Sequence, residues 1–497
     1  MHLWSPILEL SFLGILPELF LFLSISTLLV FGSFFNNQIL KDGSIVFLCR
    51  QFSQISIFIL LVTLCLVIFA PFEHQSLFHN SLICNPLTQF RKCFILLTTC
   101  FVIFISLSFI KREQINAFEY IILILFSTLG MMLLVRSQDL IVLYLSIEIQ
   151  SLALYALAAF KRDSAFSTEA GLKYFILGSF SSGLLLFGSS LLYGFTGRTN
   201  LEEIAIFFYG LEQISPGVSL GLLCFLTALL FKISAAPFHA WSPDVYEGSI
   251  SSVTSFFSIL PKFTIVILCR RLLFFSFFEL FDIWQPILLF SRLLSIVVAA
   301  FSALYQRKLK RFLAYSSIGH VGYLLLGLRT GTIEGLQRVL IYLIIYLITS
   351  LCVWSFILSI RFQKTNKTLL YIRELNGLGK TNPLLAFTLA IIIFSIAGTP
   401  PLAGFLAKIL VLFSAIESSL YSLAIVGVIT SVLSAFYYLR FIKIIYFDFV
   451  QKTSSLFTID KEKSYLIGFS LLFIVFLFLY PSPLITCLHY FSLWFIL

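Results

Sequence analysis

Charge is scarce in this sequence: Asp, Glu, Lys and Arg make up 11% of 497 residues, where soluble domains carry roughly a quarter. With 59% of residues hydrophobic and a mean hydropathy of +1.02, a water-soluble fold is excluded. The apolar runs lack the sustained period-2 alternation of a membrane barrel, so their backbone groups must be satisfied within helices. Met1 to Asn37 contains no Lys or Arg, which leaves neither the basic start of a secretory signal nor the Arg-rich face of a transit peptide. Direct delivery to a membrane is the expectation. None of the nine cysteines forms a CxxC pair and no two of the six histidines stand at i, i+4, so zinc and haem lack a motif, and the cysteines read as small apolar residues. Gly377-Leu-Gly-Lys-Thr381 has Glu374 where a phosphate-binding loop needs its first glycine, and no strand precedes it. No nucleotide, flavin, haem or iron–sulfur signature is present, so the chain carries no redox centre of its own. The net charge of +10 reads as the charge bias of membrane insertion, with no nucleic-acid footprint.

What the sequence does have is apolar runs long enough to cross a bilayer, which takes about 20 residues. They lie at about 6–31, 44–70, 93–110, 117–135, 139–160, 168–195, 217–241, 252–275, 285–304, 311–329, 335–362, 382–413, 419–446 and 464–487, about fourteen spans in all. Connections after odd-numbered spans are basic: Lys111 and Arg112, Lys161 and Arg162, then Arg307, Lys308, Lys310 and Arg311, then Lys364, Lys367, Arg373 and Lys380, then Lys452, Lys461 and Lys463. Glu202, Glu203 and Glu212 follow span six. The regularity supports the span order and puts both termini on the side away from the cytoplasm or matrix. Only the link after span seven, with Asp244 and Glu247, breaks it.

An internal repeat is visible. Phe231-Lys-Ile-Ser-Ala-Ala-Pro237 in span seven matches Phe394-Ser-Ile-Ala-Gly-Thr-Pro400 in span twelve. Ser146-Ile-Glu148 resembles Ser317-Ile-Gly319, and Gly171-Leu172 resembles Gly335-Leu336. Matching elements lie five spans apart, an odd number, so the second copy runs upside down relative to the first. Inverted repeats with Pro- or Gly-interrupted helices are a transporter signature. Chance similarity among apolar stretches is the competing explanation.

Within the spans stand Glu148, Lys173, Lys232, Lys262 and Lys408. Each ionised group near the bilayer centre costs about 2.5–3.5 kcal/mol on insertion scales, so the set must be paired, hydrated or neutral part of the time. Snorkelling to the interface is the bland reading, most apt for Lys173 near the start of its span. It suits Lys232 and Lys408 less, because they flank Pro237 and Pro400-Pro401, where a lost backbone hydrogen bond calls for polar neighbours. Loss of water disfavours a lysine's charged form and a nearby carboxylate favours it, so a change of partner switches its proton. His239 and His320 are candidate members of a relay, a hydrogen-bonded packing role being the commoner one for a lone histidine. Arg292 in span nine has no place in this scheme.

These residues bring out a family resemblance. Asp139 to Glu148, Ser167 to Tyr174, Phe231 to Gly248, Leu309 to Tyr323 and Gly398 to Lys408 are similar to stretches of the subunit 2 family of antiporter-like chains in respiratory complex I, the proton-translocating NADH:ubiquinone oxidoreductase, in its long fourteen-helix form. The likeness covers about 117–446, five helical spans in each half. It implies an all-α polytopic membrane protein of about fourteen transmembrane helices, with two inverted five-helix repeats and two broken helices. It divides the chain into N-terminal helices over 1–116, a first repeat over 117–280, a second over 281–446 and a C-terminal loop and helix over 447–497. The family's interacting pair corresponds to Glu148 and Lys232, its central relay to Lys262, its second half-channel to Lys408 and a further buried lysine to Lys173. Gly319 stands where the repeat would place a second Glu148.

The resemblance further implies that this chain binds no cofactor, that NADH, FMN, iron–sulfur clusters and ubiquinone belong to partner subunits, and that the chain works only with lipids and the other membrane-arm subunits. Its 58 phenylalanines and missing presequence suggest a mitochondrially encoded protein of the inner membrane, a bacterial plasma membrane being the alternative. The competing functions are a subunit of a multisubunit cation/proton antiporter, which shares the core without redox partners, and a structural spacer.

Overall fold

The computed structural model describes all residues except 1–3, 43–44, 71–74, 114–117, 211–213, 329–331, 363–367, 449–456 and 494–497. Glu212, Lys364, Lys367 and Lys452 lie outside the described residues. The helices are α1 Trp4–Asp42, α2 Ile45–Ile68, α3 Pro86–Arg112, α4 Phe118–Arg136, α5 Leu140–Ala158, α6 Ala165–Thr196, α7 Leu201–Phe208, α8 Pro216–Lys232, α9 Trp241–Gly248, α10 Ser251–Arg271, α11 Phe281–Leu304, α12 Leu309–Gly327, α13 Ile333–Ser359, α14 Leu378–Thr381, α15 Pro383–Ala397, α16 Ala403–Glu417, α17 Tyr421–Tyr446, α18 Lys461–Leu479 and α19 Ser482–Leu493. Among the described residues eleven helices are long and apolar enough to cross a membrane, and α8 and α15 are shorter apolar helices. The all-α expectation needs one correction. A two-stranded antiparallel hairpin, β1 Gln75–Leu77 on β2 Leu82–Cys84, links α2 to α3. The final apolar run is also divided, with α18 ending at Leu479 and α19 starting after Pro481, whose ring cannot donate a helical hydrogen bond.

Spans 217–241 and 382–413, which carry the repeated Pro motif, are interrupted. α8 stops at Lys232 and Ser234 adopts a left-handed φ of +59° ahead of Pro237. α15 stops at Ala397, where Gly398 takes a φ of +81° and its N–H donates to Phe394 and Ser395 carbonyls, a C-terminal cap that needs a residue without a Cβ.

The chain divides into two compact units, one holding Met1–Lys232 and Gly248–Trp284, the other Ile233–Glu247 and Gln285–Leu493. In the first, α6 packs on α8, α4 on α5, and α2 on α3. Small residues allow the close approach that membrane helices rely on: a Cβ on Gly188 of α6 would stand 2.6 Å from the Phe225 nitrogen of α8. In α10 every residue from Ser252 to Arg271 is buried, and a π-turn, Leu272–Ser276, extends the helix. Buried hydroxyls return their protons to the helix's own carbonyls, as Ser255 does to Ser252 at 2.7 Å and Ser258 to Ser255 at 3.0 Å, so this polar helix can lie in the interior.

In the second unit α13 is the central helix, contacted by α12, α16, α18 and α19. Asp244 accepts a hydrogen bond from Arg311 at 2.7 Å, and Glu247 pairs with Lys308 and Arg311. The acidic link that broke the alternation of loop charge is thus neutralised by the basic link after span nine. At the other end of this unit Arg338 of α13 holds Glu417, with one Nη2–Oε1 contact of 2.7 Å, and Glu334 at 3.0 Å. The hydrogen bond from Arg338 holds the Glu417 carboxyl below its ordinary value. A carboxylate lowered in the folded state stabilises above its unfolded pKa, and that contribution fades as pH falls through the folded value. Because Glu417 is half-exposed, solvent screening limits the gain to about 0.2–1 kcal/mol. Thermal melts of the wild type and Glu417→Gln should therefore differ slightly at pH 7 and converge in acid, once the pH has fallen through the folded value. A gap that persists in acid would contradict the pairing.

Candidate functional site

The first unit carries Glu148, Lys173, Lys232 and Lys262. Asp139 caps α5 by accepting from the Ile141 N–H at 3.0 Å, and the helix then presents Glu148, Ser151 and Tyr155 on one face through their i, i+3, i+7 spacing. Among the described residues Glu148 and Lys232 form no direct ion pair. The Lys232 ammonium at the end of α8 instead donates to the Tyr155 hydroxyl at 3.0 Å and lies 5.5 Å from the centre of its ring. Ser151, one turn before Tyr155 on the same face of α5, reaches Glu148 Oε2 at 3.4 Å and the Glu148 carbonyl at 3.3 Å. The other carboxylate oxygen, Oε1, is buried with no hydrogen-bond partner among the described residues.

Lys262 is 2% exposed on the buried α10. It follows Pro261, whose missing N–H leaves a carbonyl one turn earlier without its helical donor. Lys173 is a correction: its side chain is 43% exposed and its ammonium pairs with Glu169 one turn back at 2.8 Å. Position within an apolar run gave it the depth of a buried lysine, but it projects from the outer face of α6.

In the second unit Lys408 of α16 donates to the Ala397 carbonyl at 2.6 Å and lies 5.5 Å from the Tyr323 ring centre. The acceptor is free because α15 ends there. A small cavity is lined by Lys408, His320, Tyr323, Ser316, Thr430 and Ser434 among others. His320 Nδ1 meets the Tyr342 hydroxyl at 2.8 Å, and its ring lies 5.4 Å from that of Tyr346. His239 is outside this group: its Nδ1 lies 3.2 Å from the Pro237 carbonyl on the turn after the interruption. Arg292 is 1% exposed, well inside α11, and its Nε donates to the Leu288 carbonyl at 3.1 Å.

Sequence reading missed the most fully paired charges. Glu18 in the middle of α1 contacts Lys92 Nζ at 2.5 Å and Arg136 Nη1 at 2.9 Å. Arg136 also donates to the Gly14 carbonyl at 2.9 Å and to the Ile83 carbonyl at 3.2 Å. All three are buried. A carboxylate inside the first apolar run was the available signal, since an ionisable residue at that depth calls for a partner.

Comparison with known proteins places this arrangement. A family model described as the membrane region of NADH:quinone oxidoreductases and Mrp antiporters matches residues 137–434. The chain is 46% identical over 492 residues to NADH-ubiquinone oxidoreductase chain 2 of Marchantia polymorpha, covering 98% of this chain and 99% of that one. It is 42% identical over 480 residues to NADH-quinone oxidoreductase subunit N of Parvibaculum lavamentivorans, covering 96% of each. Among solved structures, a chain of respiratory complex I from Thermus thermophilus superposes with a TM-score of 0.78 at 26% identity, covering 95% of this chain and 99% of that chain.

Proposed function

This chain belongs to the NADH:quinone oxidoreductase/Mrp antiporter membrane family, and we propose that it is an antiporter-like membrane-arm subunit of a proton-pumping NADH:quinone oxidoreductase that carries protons through its buried Glu and Lys residues. The observation that carries the assignment is end-to-end likeness, 98% of this chain against 99% of the Marchantia chain 2. The chain is then a subunit of an enzyme complex, and NADH, FMN, iron–sulfur clusters and ubiquinone are handled by its partner subunits. Relatives of both mitochondrial and bacterial kinds accompany a multi-pass architecture, and we assign the mitochondrial inner membrane.

The eleven long apolar helices, the two shorter ones α8 and α15, and α12 make fourteen crossings, each interrupted span counting once. We read α4 to α10 as the first repeat and α11 to α17 as its inverted counterpart, following N-terminal helices that end near 116. Glu148 and Lys232 work in the first repeat, Lys262 is the central relay, and Lys408 with His320 serves the second. An interrupted helix beside Lys232 and another beside Lys408 leave carbonyls that a charged or neutral amine can use in turn. Lys173 sits on a face open to lipid or a neighbouring subunit and His239 on a turn, so neither has a step here.

The Mrp half of the family description supports the second reading, a cation/proton antiporter subunit without redox partners. Purification through this chain in mild detergent separates the two. Co-migration with NADH-oxidising subunits is expected, and isolation with other carriers alone would sink the first reading. In the assembled complex in proteoliposomes, Glu148→Gln and Lys232→Met should each lower NADH-driven proton uptake by about a hundredfold or more, the scale of a lost positioned proton donor or acceptor. Normal pumping by both variants would leave a structural spacer.

A further inference from the structure

The family's acid and base are not in contact here. Between them lie two hydroxyls, both on α5, and a third helix leaves room for one of them. Tyr155 is held by ring packing, edge-on to Tyr174 at 4.7 Å and to Phe175 at 5.8 Å. Its hydroxyl points at Gly178 of α6, where a Cβ would stand 2.2 Å from the oxygen. An alanine there would collide with it. Helices α5, α6 and α8 thus converge on a single oxygen that accepts from Lys232 at 3.0 Å.

We propose that Tyr155 and Ser151 form the proton bridge between Lys232 and Glu148, so that the transfer within this half of the chain runs through two side-chain hydroxyls. This rests on the functional reading above. The geometry gives the chain a direction. The ammonium of Lys232 has only donors and the carboxylate of Glu148 only acceptors. Ser151 donates to Glu148, so a chain through both hydroxyls requires Tyr155 to donate to Ser151, one turn back on the same face of α5. One transfer then moves a proton from Lys232 to the Tyr155 oxygen, the Tyr155 proton to the Ser151 oxygen, and the Ser151 proton to Glu148. Lys232 becomes a neutral amine and Glu148 a neutral acid, with both hydroxyls restored and reversed in orientation. A second proton cannot follow until they turn back. The Glu148 carbonyl, 3.3 Å from Ser151 Oγ, is an alternative acceptor available to Ser151 during that turn.

The test uses the whole complex reconstituted in proteoliposomes. Tyr155→Phe keeps the ring and its packing and removes only the bridging oxygen. Expected is the loss of most NADH-driven proton uptake, with uncoupled NADH oxidation retained and a changed solvent deuterium isotope effect on pumping, which a purely structural role would not alter. Ser151→Ala, which leaves the packed ring untouched, should shift the same two readouts and decides the matter if Tyr155→Phe fails to assemble. Wild-type pumping and isotope effect in the hydroxyl variants, with Glu148→Gln impaired, would overturn the bridge alone. Normal pumping in Glu148→Gln as well would overturn the functional reading beneath it.

Discussion

Glu18→Ala is expected to cost about 3–5 kcal/mol, the range for removing one partner from a buried ion network, and to deplete the assembled complex. The carboxylate is 4% exposed and sits between Lys92 and Arg136. Its loss leaves two cations inside a helix bundle where water cannot replace it. Arg136 keeps the Gly14 and Ile83 carbonyls, whereas Lys92 loses its carboxylate partner. Removing both ends together should therefore hurt less. The double variant Glu18→Gln with Lys92→Met is expected to recover part of the loss, because it removes the Lys92 charge and leaves Arg136, which keeps two carbonyl acceptors, as the one cation of the network. Native-gel assembly and thermal melts of the purified complex measure it. If the double variant is as damaged as the sum of the singles, the network is not the source of the stability.

That network shows where sequence reading stops. Run length and the charge of connecting loops recovered most helices, since a bilayer forces every backbone group into a helix and makes the pattern local. The interruptions were legible as a repeated F-x-I-small-small-small-P. Partners were not, because Glu18 and Arg136 lie 118 positions apart and no periodicity connects them. Lys92 and Arg136 stand at the edges of apolar runs, where sequence alone does not tell a buried cation from a boundary charge. Lys173 failed for the opposite reason: in a run apolar on every side, nothing local tells the face turned to neighbouring helices from the face turned outward. Tyr155 was passed over because an aromatic residue in an apolar run reads as packing, and only the 3.0 Å approach of Lys232 gives its hydroxyl a task. The link holding Asp244 and Glu247 broke the charge rule for a reason that tertiary structure supplies, the pairing with Lys308 and Arg311.

Lys408→Met should separate stability from function. An ionised lysine at membrane depth costs about 2.5–3.5 kcal/mol on insertion scales, and the contacts returned by Lys408 are the 2.6 Å hydrogen bond to the Ala397 carbonyl and the approach to the Tyr323 ring. Those are worth about 1.5–3 and 0.5–2 kcal/mol respectively, so the side chain roughly breaks even. Methionine fills the same volume without charge, and the stability of the complex should change by no more than about 1 kcal/mol. Proton uptake should nevertheless collapse, because the cavity shared with His320 loses the one amine that can release and regain a proton. Lys408→Arg makes the complementary point. It preserves the charge but cannot be deprotonated in a protein, so it should fail to pump while keeping the ion–carbonyl contact. Both variants are read by NADH-driven proton uptake in proteoliposomes against uncoupled NADH oxidation. If arginine restores pumping, the site needs a fixed positive charge there, and the lysine's proton exchange is not what the second half of the chain uses.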